Sequence, residues 1–511
     1  MPNDDTNVML RMEHIVKCYG DLVANDDVYL ELHAGEILAV IGENGAGKTT
    51  LMKILYGMEQ PSSGSIYLNG KELHIKNASQ AIASGIGMVQ QHFMLFDPFT
   101  VAENVVYGRE PKKGLYFDVK KANSIIEELS LRYDLPLDPQ EKIQGMPVGL
   151  RQRVEILKVL YQNADIIIFD EPTAVLTPQE VHELLGTMKH LAASGKSIII
   201  ITHKLNEVME VADRAMVMRA GKHIADVDIK DTDIEELSFM MVGRHLVKKS
   251  VPMITPGEDV LRIENLHVQG NGSVSLIDNL SLHVAAGEIV GIAGVSGNGQ
   301  SVLEKCIFGL QKADGGSIVV KGKDICNHTV DEVRSAGVSM IPEDRYIWGS
   351  ASAATIMETA IMAHYKKPGL SRKGVLDMQA LKKFANGIVN EFSVKTDGIQ
   401  LRTSSLSGGN AQKLIAAREI TQRTPLLLAC EPTRGVDIGA MEFIHDRLIQ
   451  KRTEGDAVLL ISSELTEIME LSDRIYVMYG GRIHGEFTRG NVREEELGLL
   501  MVGGGHHEKL S

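Results

Sequence analysis

The sequence predicts an α/β fold laid down twice in tandem. Three observations carry this. First, the apolar, strand-type run "GEILAVI" feeds a glycine-rich loop and then the helix-forming stretch "TTLMKILYG". Second, "GEILAVIGENGAGKTTLMKILYG" returns later as "GEIVGIAGVSGNGQSVLEKCIFG". Third, runs such as "DIIIF" and "SIIIIT" have the continuous apolar character of strands buried on both faces of a parallel sheet. Gly42 matches Gly294 and Glu171 matches Glu431, so the offset grows only from 294 − 42 = 252 to 431 − 171 = 260. A fixed offset of this size means two copies of one domain. The first copy is placed at 8–245, the second at 259–504, with a linker at 246–258 and a tail at 505–511. The junction "RHLVKKSVPMITPGEDV" is polar and carries two prolines. The tail is expected to be disordered, with His506 and His507 solvated rather than metal-bound.

Composition narrows the function. The chain has 511 residues and a formal charge of −14, which argues against a nucleic-acid binder held by phosphate contacts. No run approaches the roughly 20 apolar residues of a membrane span. The acidic, polar start "MPNDDTNVML" is not that of a signal peptide, and no direct lipid anchor is expected. The four cysteines, Cys18, Cys306, Cys326 and Cys430, lack ligand spacing and read as free thiols in a reducing compartment.

Taken in order, "MEHIVKCYGDLVANDDVYLELHAGE" alternates as an antiparallel strand pair. Tyr19 lies upstream of the loop, where its ring could stack on a base; ordinary packing is the other reading. Gly42-Glu43-Asn44-Gly45-Ala46-Gly47-Lys48-Thr49-Thr50 then fits a phosphate-binding loop between strand and helix. Its backbone N–H groups and helix N-terminus attract phosphate, Lys48 adds a charge, and Thr49 offers a hydroxyl to Mg²⁺. A strand ends near Val89. Gln91 follows at the strand–loop junction, where an amide can reach Mg²⁺ or its water. From about Asn104 to Pro147 the pattern becomes helical, as for a small subdomain inserted in the α/β core.

"DIIIF" delivers Asp170 and Glu171 at a strand's C-terminal end, the ligand side of an open α/β sheet. Asp170 is placed to hold the Mg²⁺ shell and Glu171 to polarise attacking water. Thr177-Pro178-Gln179-Glu180 reads as a capping box with proline at the first helical position. "SIIIITH" is another buried strand, and it brings His203 to the same edge for a γ-phosphate contact.

Together these residues resemble the ATP-binding-cassette ATPases, in two copies covering essentially the whole chain. Leu406-Ser407-Gly408-Gly409-Asn410 is very close to that family's signature, LSGGQ. The resemblance implies two tandem cassettes, each a P-loop α/β core with an antiparallel β subdomain and a helical insertion. It also implies ATP and Mg²⁺ as ligands, and a head-to-tail pairing in which each phosphate loop faces the other copy's signature. Sorted this way, one site has Lys48, Thr49, Gln91, Asp170, Glu171 and His203, completed by Ser407, Gly408, Gly409 and Asp437. The other has Gln300 for lysine, Glu343 for glutamine, Cys430 for aspartate and Ser463 for histidine. Its signature is the degenerate Met146-Pro147-Val148-Gly149-Leu150, with Thr177 in place of the interface aspartate. All departures fall on one site, so one competent and one degenerate site are expected.

The tandem layout resembles the ATP-binding subunits of bacterial sugar and nucleoside importers. "MVQQHFMLFDPFTVAENV", "QRVEILKVLY" and "GAMEFIHDRLIQKR" are most similar to the nucleoside-uptake branch. That implies a peripheral ATPase on the cytoplasmic face of the bacterial membrane, working through integral-membrane permease subunits. A substrate-binding lipoprotein or other solute-binding protein would take part indirectly, with no nucleic acid. The alternatives are a pentose or hexose importer of the same architecture, a soluble tandem ATPase acting on ribosomes or nucleic acid, and a regulatory ATP-binding module without turnover.

Overall fold

The computed structural model describes residues 8–20, 22–90, 93–173, 176–244, 255–270, 275–295, 297–372, 374–501 and 503. The chain divides into two compact units, Met1–Lys248 and Lys249–Ser511. The expected linker falls largely, and the tail wholly, outside the described residues.

Each unit pairs a small antiparallel sheet with a larger, mostly parallel one. In the first unit Val8–Tyr19 pairs antiparallel with Leu22–His33, as the alternation predicts. Leu10, Met12 and Ile15 from one strand and Val28, Leu30 and Leu32 from the other turn inward to a common core. The larger sheet has six strands in the order Lys222–Asp228, Arg214–Arg219, Ile37–Gly42, Ser197–Thr202, Ile166–Asp170 and Ile86–Val89. The three central strands are buried along their whole length, which their β-branched, uninterrupted sequences allow.

Register fixes the working edge. Thr202 pairs with Ile41 and Ile201 with Asp170, so three parallel strands end side by side. Their C-terminal ends present the phosphate loop, the two carboxylates and His203 on one rim. His203 lies just past its strand, which closes at Thr202.

The expected helical insertion is present but not purely helical. Helices Val101–Val106 and Val119–Arg132 flank a hairpin of Lys112–Lys113 and Tyr116–Phe117. Gly114, at φ 67°, provides the left-handed turn residue of that hairpin. Helix Val148–Tyr161 follows. Thr177 caps helix Pro178–Ala193 as expected: Glu180 N donates to its hydroxyl at 3.2 Å, and Thr177 N donates to the Glu180 carboxylate at 3.0 Å.

The second unit repeats the plan. Its six strands run Val338–Ile341, Leu426–Cys430, Ala457–Ser462, Ile289–Ala293, Arg474–Tyr479 and Arg482–Thr488. It adds a buried ion cluster that the sequence pattern does not announce. Glu419, at 0% exposure, accepts from Arg334 Nη1 at 3.0 Å and from Arg418 Nε at 2.7 Å. Burial works against its charge, but the two guanidiniums outweigh it and hold the carboxyl below its usual range. Arg418 Nη1 also donates to Gly349 O at 2.7 Å, tying helix Gly408–Ile420 to the π-helical turn Arg345–Gly349. Removing one partner of such a cluster strands buried charge, at about 3–5 kcal/mol. Glu419→Ala is therefore expected to lower the melting temperature of the second unit, followed by limited proteolysis during a thermal ramp. The first unit should melt as in the wild type.

Candidate functional site

In the first unit, the loop from Gly42 to Thr49 leads into helix Lys48–Leu55, whose N-cap is Gly47 with no side-chain cap. The N–H groups of its first turn are thus left for an anion. Gly47 sits at φ 96°, and a Cβ there would run into the carbonyl oxygen of Ala24. Asn25, fully buried on the antiparallel sheet, donates from Nδ2 to Gly47 O at 3.2 Å. This clamp on the loop is a residue the sequence reading missed. In the sequence it reads as one of the polar run Asn25-Asp26-Asp27, which gives no signal of its burial.

Lys48 is 5% exposed, and its Nζ donates to Gly42 O at 2.7 Å and Glu43 O at 3.0 Å. Burial pushes its pKa down, while Glu171, Asp170 and Glu43 push the other way. Thr49 Oγ1 lies 3.4 Å from Asp170 Oδ1. Burial, then the Glu171 charge, raises the Asp170 carboxyl to about 6. Glu171 occupies the left-handed region at φ 46°, uncommon for a non-glycine residue, and its N–H donates to Ile201 O at 2.9 Å. His203 Nδ1 donates to Glu171 Oε1 at 3.3 Å, and this bond holds the Glu171 carboxyl below its usual range. The rim thus brings together Lys48, Thr49, Asp170, Glu171 and His203. Tyr19 is 44% exposed with Lys17 Nζ 4.9 Å from its ring centre. Gln91 lies outside the described residues.

The second unit keeps the geometry and changes the chemistry. Gln300 stands at the lysine position and donates to Val295 O at 3.0 Å, keeping the bond to the loop without the charge. Ser301 donates to Glu343, at the place expected for glutamine. Glu304 and the buried Cys430 thiol meet behind them. Burial drives the Cys430 thiol far above its usual value and the Glu304 carboxyl up to about 7. Glu431 repeats the left-handed conformation of Glu171, at φ 45°. Burial raises it to about 7, although Ser463 donates to it from N at 2.7 Å and from Oγ at 3.1 Å. Elsewhere in this unit Ser407 caps helix Gly408–Ile420, and Asp437 caps Ile438–Thr453 by accepting from Ala440 N at 2.6 Å. In the first unit Pro147 starts the corresponding helix with no side-chain cap.

The ABC transporter family model matches residues 25–174 and 277–434. The chain belongs to the ABC transporter family. Over 506 residues it is 49% identical to the nucleoside import ATP-binding protein NupA of Lactococcus lactis, covering 98% of this chain and 99% of that one. It is 47% identical to the guanosine import ATP-binding protein NupO of Bacillus subtilis, covering 97% of each. It is 43% identical to the glucose import ATP-binding protein TsgD13 of Haloferax volcanii, over 97% and 96% of the two chains. The tandem-cassette fold read from the repeat is therefore that of an ABC transporter ATPase, an enzyme that couples ATP turnover to transport.

A buried carboxyl in the second cassette makes its stability depend on pH. Glu304 is 5% exposed, and its raised folded-state value means that the native carboxyl retains its proton. Its stabilising contribution is complete below the unfolded value of 4.5 and is lost as pH rises through about 7. Glu304→Gln mimics the protonated form. It should stabilise the nucleotide-free chain at pH 8 by up to about 3 kcal/mol, and by little at pH 4.5. Denaturant unfolding at the two pH values checks this.

Proposed function

We propose that this chain is the ATP-hydrolysing subunit of a nucleoside importer, and that its first cassette holds the competent site. Near-full-length similarity to two nucleoside and guanosine import proteins is the observation that supports the substrate class. The contrast between Lys48, Asp170 and His203 in one unit and Gln300, Cys430 and Ser463 in the other supports a single hydrolytic site.

The first loop fits a nucleotide triphosphate. Its lysine is buried and fixed to loop carbonyls, with the unpaired N–H groups of a helix start beside it. Thr49 and Asp170 would hold Mg²⁺, with Gln91 as a further ligand. The ion, when bound, neutralises phosphate charge. Lys48 stabilises charge developing on the γ-phosphoryl group. Glu171, fixed by its backbone and by His203, orients and polarises the attacking water. His203 has its other ring nitrogen to offer toward the γ-phosphate. Ser407, Gly408, Gly409 and Asp437 are the groups proposed to complete this site, and Tyr19 is proposed to stack on adenine.

Among the described residues no helix is long and apolar enough to cross a membrane. The similarity to import ATP-binding proteins supports work through separate integral-membrane permease subunits, docked at the cytoplasmic face, with a solute-binding protein acting indirectly. Sugar import is the second reading, supported by the 43% identity to a glucose import protein. The ribosome-directed reading gains no support from these relatives.

Two measurements test this. Reconstituted with its permease subunits, the Glu171→Gln variant should lose ATPase activity by about 100-fold or more, as expected for a lost catalytic base. Glu431→Gln should remain within a few-fold of wild type, and equal losses would overturn the one-site reading. In the same vesicles labelled guanosine should accumulate with ATP, while labelled glucose should not. Accumulation of glucose alone would replace nucleoside by sugar. Separately, Lys48→Ala should weaken ATP binding about 10- to 100-fold, the worth of a charged hydrogen bond, while Gln300→Ala should change it little.

A further inference from the structure

Within the first cassette a cavity of about 220 Å³ opens between helix Val148–Tyr161 and helix Pro178–Ala193. Leu150, Ile156 and Leu184 make its apolar wall; Gln152, Arg153 and Glu183 are polar groups facing the same space. Gln152 is 3% exposed, and its Nε2 has no hydrogen-bond partner among the described residues. Buried amide N–H groups are rarely left in this state, because desolvation is then uncompensated.

The second cassette serves as an internal control. The copies align without a gap here, so Gln152 corresponds to Gln412, Arg153 to Lys413, Glu183 to Phe443 and Thr187 to Arg447. Gln412 Nε2 donates to Pro432 O at 2.9 Å. The Phe443 ring fills the space between the helices, with Lys413 Nζ at 5.6 Å, Arg447 Cζ at 5.1 Å and the Phe392 ring at 5.6 Å. Where the second copy carries this aromatic stack, the first has a carboxylate, a threonine and open space.

The geometry points to a nucleoside-binding pocket in the first cassette, distinct from the Lys48 phosphate loop, bordered by the degenerate signature residues Pro147, Gly149 and Leu150, and receiving the base between the two helices. The volume lies below the roughly 300–1,000 Å³ of drug-sized sites and suits a compact ring. A planar base replaces the missing Phe443 ring, with the Arg153 guanidinium against its face. Gln152 Nε2, closed off from the open volume, donates to a ring carbonyl once its side chain turns toward the base. Glu183 pairs through Oε2 with Arg153 at 2.9 Å, leaving Oε1 to accept from ring and exocyclic N–H groups. A base with one carbonyl beside an N–H edge, as in guanine, satisfies both. The pocket also touches the degenerate signature. Glu180, at its edge, accepts from Gly149 N at 3.2 Å and from Thr177 N at 3.0 Å, so a ligand there braces the joint of the two helices. Recognition of the transported molecule class by its own ATPase rests on the nucleoside reading above.

The test is calorimetric titration of guanosine into the full chain, with the ATP site saturated by a non-hydrolysable ATP analogue. Saturable binding of one guanosine per chain at submillimolar concentration is expected, with glucose giving none. Glu183→Phe and Thr187→Arg each copy the second cassette into the pocket. Each should weaken guanosine binding about tenfold or more, the effect of losing a good hydrogen bond and the space beside it. Both should bind the ATP analogue as wild type does, which also shows that they fold. Absence of saturable binding to the wild type, or binding unaffected by both substitutions, overturns the inference. If the reconstituted transporter carries sugar instead, the proposed function fails, and guanosine binding still decides the pocket by itself.

Discussion

Everything at the proposed nucleotide site of the first cassette depends on three buried parallel strands ending in register. Ile37–Gly42, Ile166–Asp170 and Ser197–Thr202 can lie side by side because each is apolar on both faces. Pairing of Thr202 with Ile41 and of Ile201 with Asp170 fixes which residues emerge together. A shift of one residue in a strand would turn its side chains to the opposite faces and remove a carboxylate from the rim. Once the ends coincide, short-range chemistry completes the site. Lys48 anchors on loop carbonyls, Asn25 clamps Gly47 from the neighbouring sheet, and the left-handed backbone of Glu171 aims its carboxylate at His203.

The second cassette shows how far this scaffold tolerates loss of its charge pattern. Gln300 keeps the bond to the loop while losing the ammonium group. Cys430 takes a place within a fully buried strand, where a neutral thiol costs far less than an aspartate. Burial pushes Glu304 and Glu431 toward their neutral forms, and Lys305 and Arg434 offset it only in part. The outcome is a stable fold in which a buried neutral thiol and two raised glutamates stand around the loop, where the first cassette has Lys48 and a raised Asp170. The left-handed residue survives in both copies, so it belongs to the scaffold as much as to the chemistry.

Much of the first site was legible because its parts are contiguous. The loop at 42–50, the pair Asp170–Glu171 and the capping box at 177–180 each lie within a few residues, and each has a local physical reason. Alternation revealed the antiparallel pair, and uninterrupted apolar runs revealed the buried strands. The hairpin at 112–117 was read as helical, because two-residue strands leave almost no periodicity to detect. Asn25 was missed because its role is a contact with a loop 22 residues away. The cluster of Arg334, Arg418 and Glu419 was missed because charged residues on a helix normally read as a solvated face.

The sequence by itself determined the repeat, the main buried strands, the glycine-rich loop between strand and helix, and which positions differ between the two copies. These follow from composition and spacing along the chain, where backbone geometry is local. Only the tertiary structure decided which side chains share a buried space: Asn25 with Gly47, Glu304 with Cys430, Arg418 with Gly349, and the open volume beside Gln152. Packing sets these, because burial, and with it the cost of an unpaired polar group, depends on residues far apart in the chain.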